Sequence, residues 1–115
     1  MKLRDMIVES KVAADITKAF NKKYFKIKAS KSGKAEVIRI EYNDADGDKS
    51  WMKWTITDDA IKLDDEYGVS AADFLDVDPD SGYGDVSHDT WKKHGKGALD
   101  YWKTDAVDDL GIEPQ

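Results

Sequence analysis

Cysteine is absent from all 115 residues. Its absence excludes disulfides, thiolate metal sites and cysteine nucleophiles together, and leaves the redox compartment open. Histidine is scarce: His88 and His94 are the only two. They stand six apart, so the three- or four-residue step of a helix does not bring them to one face. No His-Glu-x-x-His, Gly-x-Ser-x-Gly elbow, phosphate loop or dinucleotide fingerprint occurs. The expectation is therefore a protein without a catalytic set and without a cofactor. No apolar run approaches the ~18 residues of a membrane span. Lys2, Arg4, Asp5 and Glu9 interrupt any apolar stretch of a secretory signal. The reading is a protein neither integral to a membrane nor exported by the standard route.

What is present is charge and aromatic surface. Charged residues make up 37% of the chain, well above the ~25% usual for soluble domains. Twelve aromatic residues, four of them Trp, argue against disorder. The length fits a single domain over residues 1–115. The formal charge is −6, unevenly placed. Residues 1–53 hold 13 Lys/Arg against 8 Asp/Glu, whereas residues 54–115 hold 5 against 16. Such a split signals either charged partners or two halves that neutralise each other.

Hydrophobic periodicity gives the elements. Leu3, Met6, Ile7, Val12, Ala13, Ile16, Ala19 and Phe20 recur at helical steps from Lys2 to Lys22, with a break near Ser10–Lys11. Three alternating segments follow: Tyr24–Ala29, Ala35–Tyr42 and Trp51–Thr57, with a fourth short strand at Ala60–Leu63. Short connections between them predict an antiparallel meander. Ser70 with Asp73 reads as a capped start of a short helix through Leu75. Asp76–Asp85 is loop. Ser87 or Asp89 caps a helix containing Trp91, which Gly95 and Gly97 are expected to interrupt, with His94 at a helix end. Leu99 and Trp102 share one face of its continuation, and Thr104 caps a last turn that Gly111 ends. The order predicts an α+β fold: N-terminal helix, three- to four-stranded meander, short C-terminal helices. A small SH3/Sm-like barrel built from the same strands is the alternative.

Several side chains stand out as binding candidates. Asp58, Asp59, Asp64, Asp65 and Glu66 open a long acidic series broken only by Lys62, and an acidic face suits a basic partner. The competing reading is solubility, or the acidity common on marine and salt-adapted proteins. Trp54 shares a strand face with Met52 and Ile56 and belongs to the core. Trp51 takes the opposite face, either as an interface residue, including a homo-oligomer contact, or packed beneath the C-terminal helices. Asp76, Asp78 and Asp80 alternate as calcium ligands do. Yet Ser81 and Ser87 stand where an EF-hand carries Gly and Glu, and the Asp44–Asp48 loop departs further. Lysines at 18, 22, 23, 26, 28, 31 and 34 surround Tyr24 and Phe25, with no acid between Asp15 and Glu36. Basic residues among aromatics can track phosphates, but the acidity of the whole chain argues against nucleic acid as a partner.

Met1-Lys2-Leu3-Arg4-Asp5-Met6-Ile7-Val8-Glu9-Ser10 resembles the amphipathic leader of internal head proteins of tailed bacteriophages, and similar openings occur on small proteins of marine phages. In that family the leader directs the protein into the prohead and is cut after a Glu preceded two residues earlier by Ile or Leu. Ile7-Val8-Glu9 before Ser10 is similar to that cut site. The resemblance implies a small, non-enzymatic, phage-type accessory protein, in the host cytoplasm or the virion, and the acidic face is then the contact with a host or virion protein. The alternative is a structural protein that self-associates through its strands.

Overall fold

Ser10 marks the start of the first helix. Its backbone is extended and its hydroxyl accepts the Ala13 N–H at 3.1 Å, the arrangement that satisfies an orphan donor at a helix start. The structure, a computed structural model, describes residues 10–78 and 84–115. The leader-like stretch ahead of Ser10, and Asp80 of the calcium candidate, lie outside the described residues. Helix α1 (Lys11–Ala19) buries Val12, Ala13, Ile16 and Ala19. The break in periodicity near Ser10–Lys11 is thus an N-cap rather than a flaw in a longer helix. The far end also falls short of the expected Lys22. Phe20 leaves the helix in an extended conformation and lays its ring against Phe25, centroids 5.1 Å apart. The Ser10 N–H donates to Glu36 Oε1 at 3.0 Å, and Glu36 is only 7% exposed.

Four strands follow: β1 (Lys26–Ser32), β2 (Ala35–Asn43), β3 (Lys49–Ile56) and β4 (Ile61–Asp65). They form one antiparallel sheet in the order β1-β2-β3-β4. The sheet is open, so the barrel alternative is set aside. Gly33 takes φ 62 at the first centre of the two-residue Gly33-Lys34 loop, where glycine relieves the clash of a Cβ. β1 begins two residues later than Tyr24 because Asn21 O accepts the N–H groups of Tyr24 and Phe25 and holds that stretch as a turn. β3 begins two residues earlier than Trp51, and the fourth strand extends to Asp65. Val86 bridges Ile61 through paired bonds of 2.8 and 3.1 Å, covering part of β4.

The C-terminal part is helical. α2 (Ala71–Leu75) carries the expected capping box of Ser70 and Asp73. α3 (His88–Thr104) is one 17-residue helix, so Gly95 and Gly97 do not interrupt it and His94 stands exposed in mid-helix. The reason lies at Gly95, where a Cβ would meet Trp91 Cε2 at 2.7 Å. The glycine lets the indole lie against its own helix. α4 (Ala106–Leu110) starts after Asp105 with no side-chain cap. Thr104 instead donates its hydroxyl back to Asp100 O at 2.9 Å. Gly111, at φ 66, ends the helix as expected.

Alternation places Ile38, Ile40, Met52, Trp54, Ile56, Ile61 and Leu63 on one face, all buried. The helices cover that face. Trp54 is fully buried and meets Phe74 of α2 at 4.9 Å and Trp91 of α3 at 5.4 Å, both edge-on. A second aromatic cluster joins Phe20, Phe25, Tyr42 and Trp102. Edge-on and tilted pairs of this kind add to their area burial. No helix among the described residues is long and apolar enough to cross a membrane.

Candidate binding surfaces

In a meander, order along the chain becomes order across the sheet. Lys26, Lys28 and Lys31 therefore lie on the β1 edge, and Asp64 and Asp65 on the β4 edge. Three inter-strand spacings, ~15 Å in all, separate the two edges.

The acidic candidates do not form one patch. Asp58 and Asp59 are the two central residues of the turn closed by Thr57 N–H to Ala60 O at 3.0 Å, and both are exposed. Asp64, Asp65 and Glu66 stand at the other end of β4, roughly 15 Å away along a strand rising ~3.3 Å per residue. Asp64 faces outward beside Lys53. Asp65 is engaged internally, since its Oδ1 accepts the N–H groups of Tyr67 at 2.9 Å and Val69 at 2.8 Å. That turn presents Tyr67, which is 70% exposed. Composition singled out the acids and passed over Tyr67. The available signal was an aromatic directly after three acids and before Gly68.

Other acids likewise serve their own backbone. Asp44 Oδ1 accepts the N–H groups of Asp46 and Asp48, each at 2.9 Å. Asp73 Oδ2 accepts the Ser70 N–H. Asp76 takes the left-handed conformation, φ 57, that ends α2. Side-chain bonds of this kind account for Asp44 and Asp73 in their own turns. Among the described residues no three metal-ligating side chains converge.

Trp51 lies on the sheet face opposite the helices, so it does not pack beneath them. It is half-buried among its neighbours. The Arg39 guanidinium carbon sits 4.9 Å from the centroid of its ring. Arg39 Nε also donates to Glu41 Oε2 at 2.9 Å. That hydrogen bond holds the Glu41 carboxyl below the usual carboxylate range, with the charges of Arg39, Lys28 and Lys26 adding to it. On the inner face, burial raises the Tyr42 phenol above its ordinary range, and Tyr67, Glu66 and Asp65 push the same way.

A groove of about 540 Å³ runs between α1 and α3. Val12, Trp91 and Leu99 line it among lysines of both helices. His88, Asp15 and Asp100 also border it, but they are spoken for separately. Asp15 pairs with Lys11 at 3.3 Å and Asp100 with Lys96 at 3.4 Å, each on its own helix. His88 Nε2 lies 2.6 Å from Thr57 O, so that nitrogen carries the proton and donates to the carbonyl. Comparison of the chain with protein-family models, with characterised proteins and with solved structures finds no match of any of the three kinds.

Proposed function

We propose that the protein is a small non-enzymatic binding protein that engages a basic partner protein along β4. Asp58 and Asp59 contact one end of the partner, and Asp64, Glu66 and Tyr67 contact the other. The observation that carries this reading is Tyr67, 70% exposed on a turn that Asp65 braces with two hydrogen bonds. An aromatic held rigidly among charges of one sign is the composition of an interface anchor, and the acids supply steering. A phage-type origin, in the host cytoplasm or the virion, rests on the leader resemblance of residues 1–10.

The test is capture from host lysate at graded salt, with identification of what is retained. A Tyr67→Ala variant, and a Asp64→Lys/Glu66→Lys variant, are expected to lose the captured protein. An Asp108→Lys/Asp109→Lys variant carries the same change of net charge on α4 and is expected to keep it. Equal loss from both reversals would reduce the effect to net charge and end the proposal.

A second reading, self-association, is favoured by the opposite charges of the two sheet edges, which suit head-to-tail addition of one copy's β1 to another's β4. Light scattering over a range of concentrations separates the two readings, because only this one requires mass to grow with concentration. Association through Trp51, face to face, is opposed by the cations around it.

A further inference from the structure

The outward face of the sheet breaks a rule of sheet stability. Strand register sets Lys28 directly beside Arg39, and Arg39 directly beside Lys53. Three cations thus stand in a row across β1, β2 and β3, at a strand spacing of ~4.8 Å. Like charges directly opposite each other weaken a sheet. Asp64 beside Lys53 and the Arg39–Glu41 hydrogen bond offset part of that cost, but Lys28 and Lys53 still each face Arg39 across a strand spacing. Lys26, Lys49 and Lys62 extend the same face by alternation, and Glu41 and Asp64 are its acids. Glu41 is committed to Arg39, and that bond orients the guanidinium over Trp51. The result, in a chain of net charge −6, is a basic surface with an aromatic–guanidinium stack at its centre.

We infer that this face seats single-stranded nucleic acid, with phosphates along the Lys28–Arg39–Lys53 row and a base against the Arg39–Trp51 stack. The overall acidity of the chain argued against such a partner, but the meander segregates charge, and a ligand meets the local field first. Unstacked bases pair well with aromatic rings and arginine planes, and four-stranded sheets that read RNA seat about two or three bases. A duplex keeps its bases stacked on one another and offers the platform none. Asp64 of the β4 contact proposed above stands beside Lys53, so the two sites adjoin there, and Lys28, two strands further on, tests this one by itself.

The test is fluorescence anisotropy of labelled dT12 and rU12, with a 12-base-pair duplex alongside, at 50 and 200 mM salt. Binding of at least one single strand is expected at 50 mM. It should weaken with salt at a log–log slope of about −2, at ~0.7 per phosphate neutralised. Lys28→Glu and Lys53→Gln should each weaken binding about tenfold, whereas Lys92→Glu/Lys96→Glu on α3 should reduce it far less. Trp51→Leu keeps every cation and should weaken single-strand binding by roughly fivefold or more through lost stacking. Near-UV circular dichroism confirms that each variant is folded; Lys28, being exposed on the edge strand, carries the test should the others unfold. Absence of binding at 50 mM overturns the proposal. So does equal loss from the α3 reversal, or a duplex bound as tightly as the single strands with Trp51→Leu without effect, since either reduces the contact to charge alone.

Discussion

The two glycines of α3 look alike in the sequence and differ in the structure. Gly95 is buried, and a methyl group there would collide with the Trp91 indole at 2.7 Å. Gly97 is exposed, and a methyl group there would meet nothing within 4 Å. Gly97→Ala is therefore expected to stabilise the protein by up to ~1 kcal/mol through helix propensity, raising Tm by about 4 °C. Gly95→Ala gains the same propensity but overpacks the Trp91 site at a cost of roughly 1–3 kcal/mol, so its Tm should fall. Thermal melts of the two variants decide it, and the reverse order would contradict the packing of Trp91. Residue identity alone could not have separated the pair. A helix breaker and a glycine that admits a neighbouring ring are written with the same letter, and Trp91, four residues upstream, was the one hint.

At the level of elements, α1 shows the same limit from the other side. Its apolar spacing was legible, and so was the disruption near Ser10. Whether that disruption was a kink or a start depended on Glu36, 26 residues away, whose buried carboxylate receives the Ser10 N–H. The helix beginning at Lys11 means that a cut between Glu9 and Ser10 would leave α1 whole. A chain starting at Ser10 would carry an α-ammonium where the amide donor now stands, 3.0 Å from Glu36 Oε1. A positive charge at a helix start opposes the helix dipole by about 0.3–1 kcal/mol, and the carboxylate offsets that. Pairing raises the amine's pKa in the folded chain above its ordinary ~7.7–8. The added stability is then present below that range and lost as pH rises through the folded value. The Ser10-start chain should melt at a higher temperature at pH 6 than at pH 9 by a margin larger than the full chain shows. Glu36→Gln should remove the excess. No excess would mean that the ammonium and the carboxylate do not pair. The strands were read with less error than the helix, because period-two alternation in Ile38–Ile40–Tyr42 and Met52–Trp54–Ile56 leaves little choice of face. Most of their ends shifted by one to three residues, and at the start of β1 the Asn21 carbonyl supplied bonds that no local pattern announces.

For the whole molecule, the charge split seen in the sequence acquires a direction. The acidic series was legible, but its division between the two ends of β4, and the use of Asp44, Asp65 and Asp73 to brace their own turns, were not. Short-range hydrogen bonds are chosen by backbone geometry, which composition does not encode. With Lys26, Lys28, Lys31 and Lys34 at one sheet edge and the acids of β4 at the other, net charge is a poor guide to behaviour at a surface. At pH 7 and low salt the chain should be retarded on a cation exchanger as well as held on an anion exchanger, despite its charge of −6. Lys26→Glu/Lys28→Glu should abolish the first effect and leave the second. A body whose opposite flanks carry opposite signs has a permanent electric moment. It turns as it drifts toward anything charged, and arrives with one flank already leading.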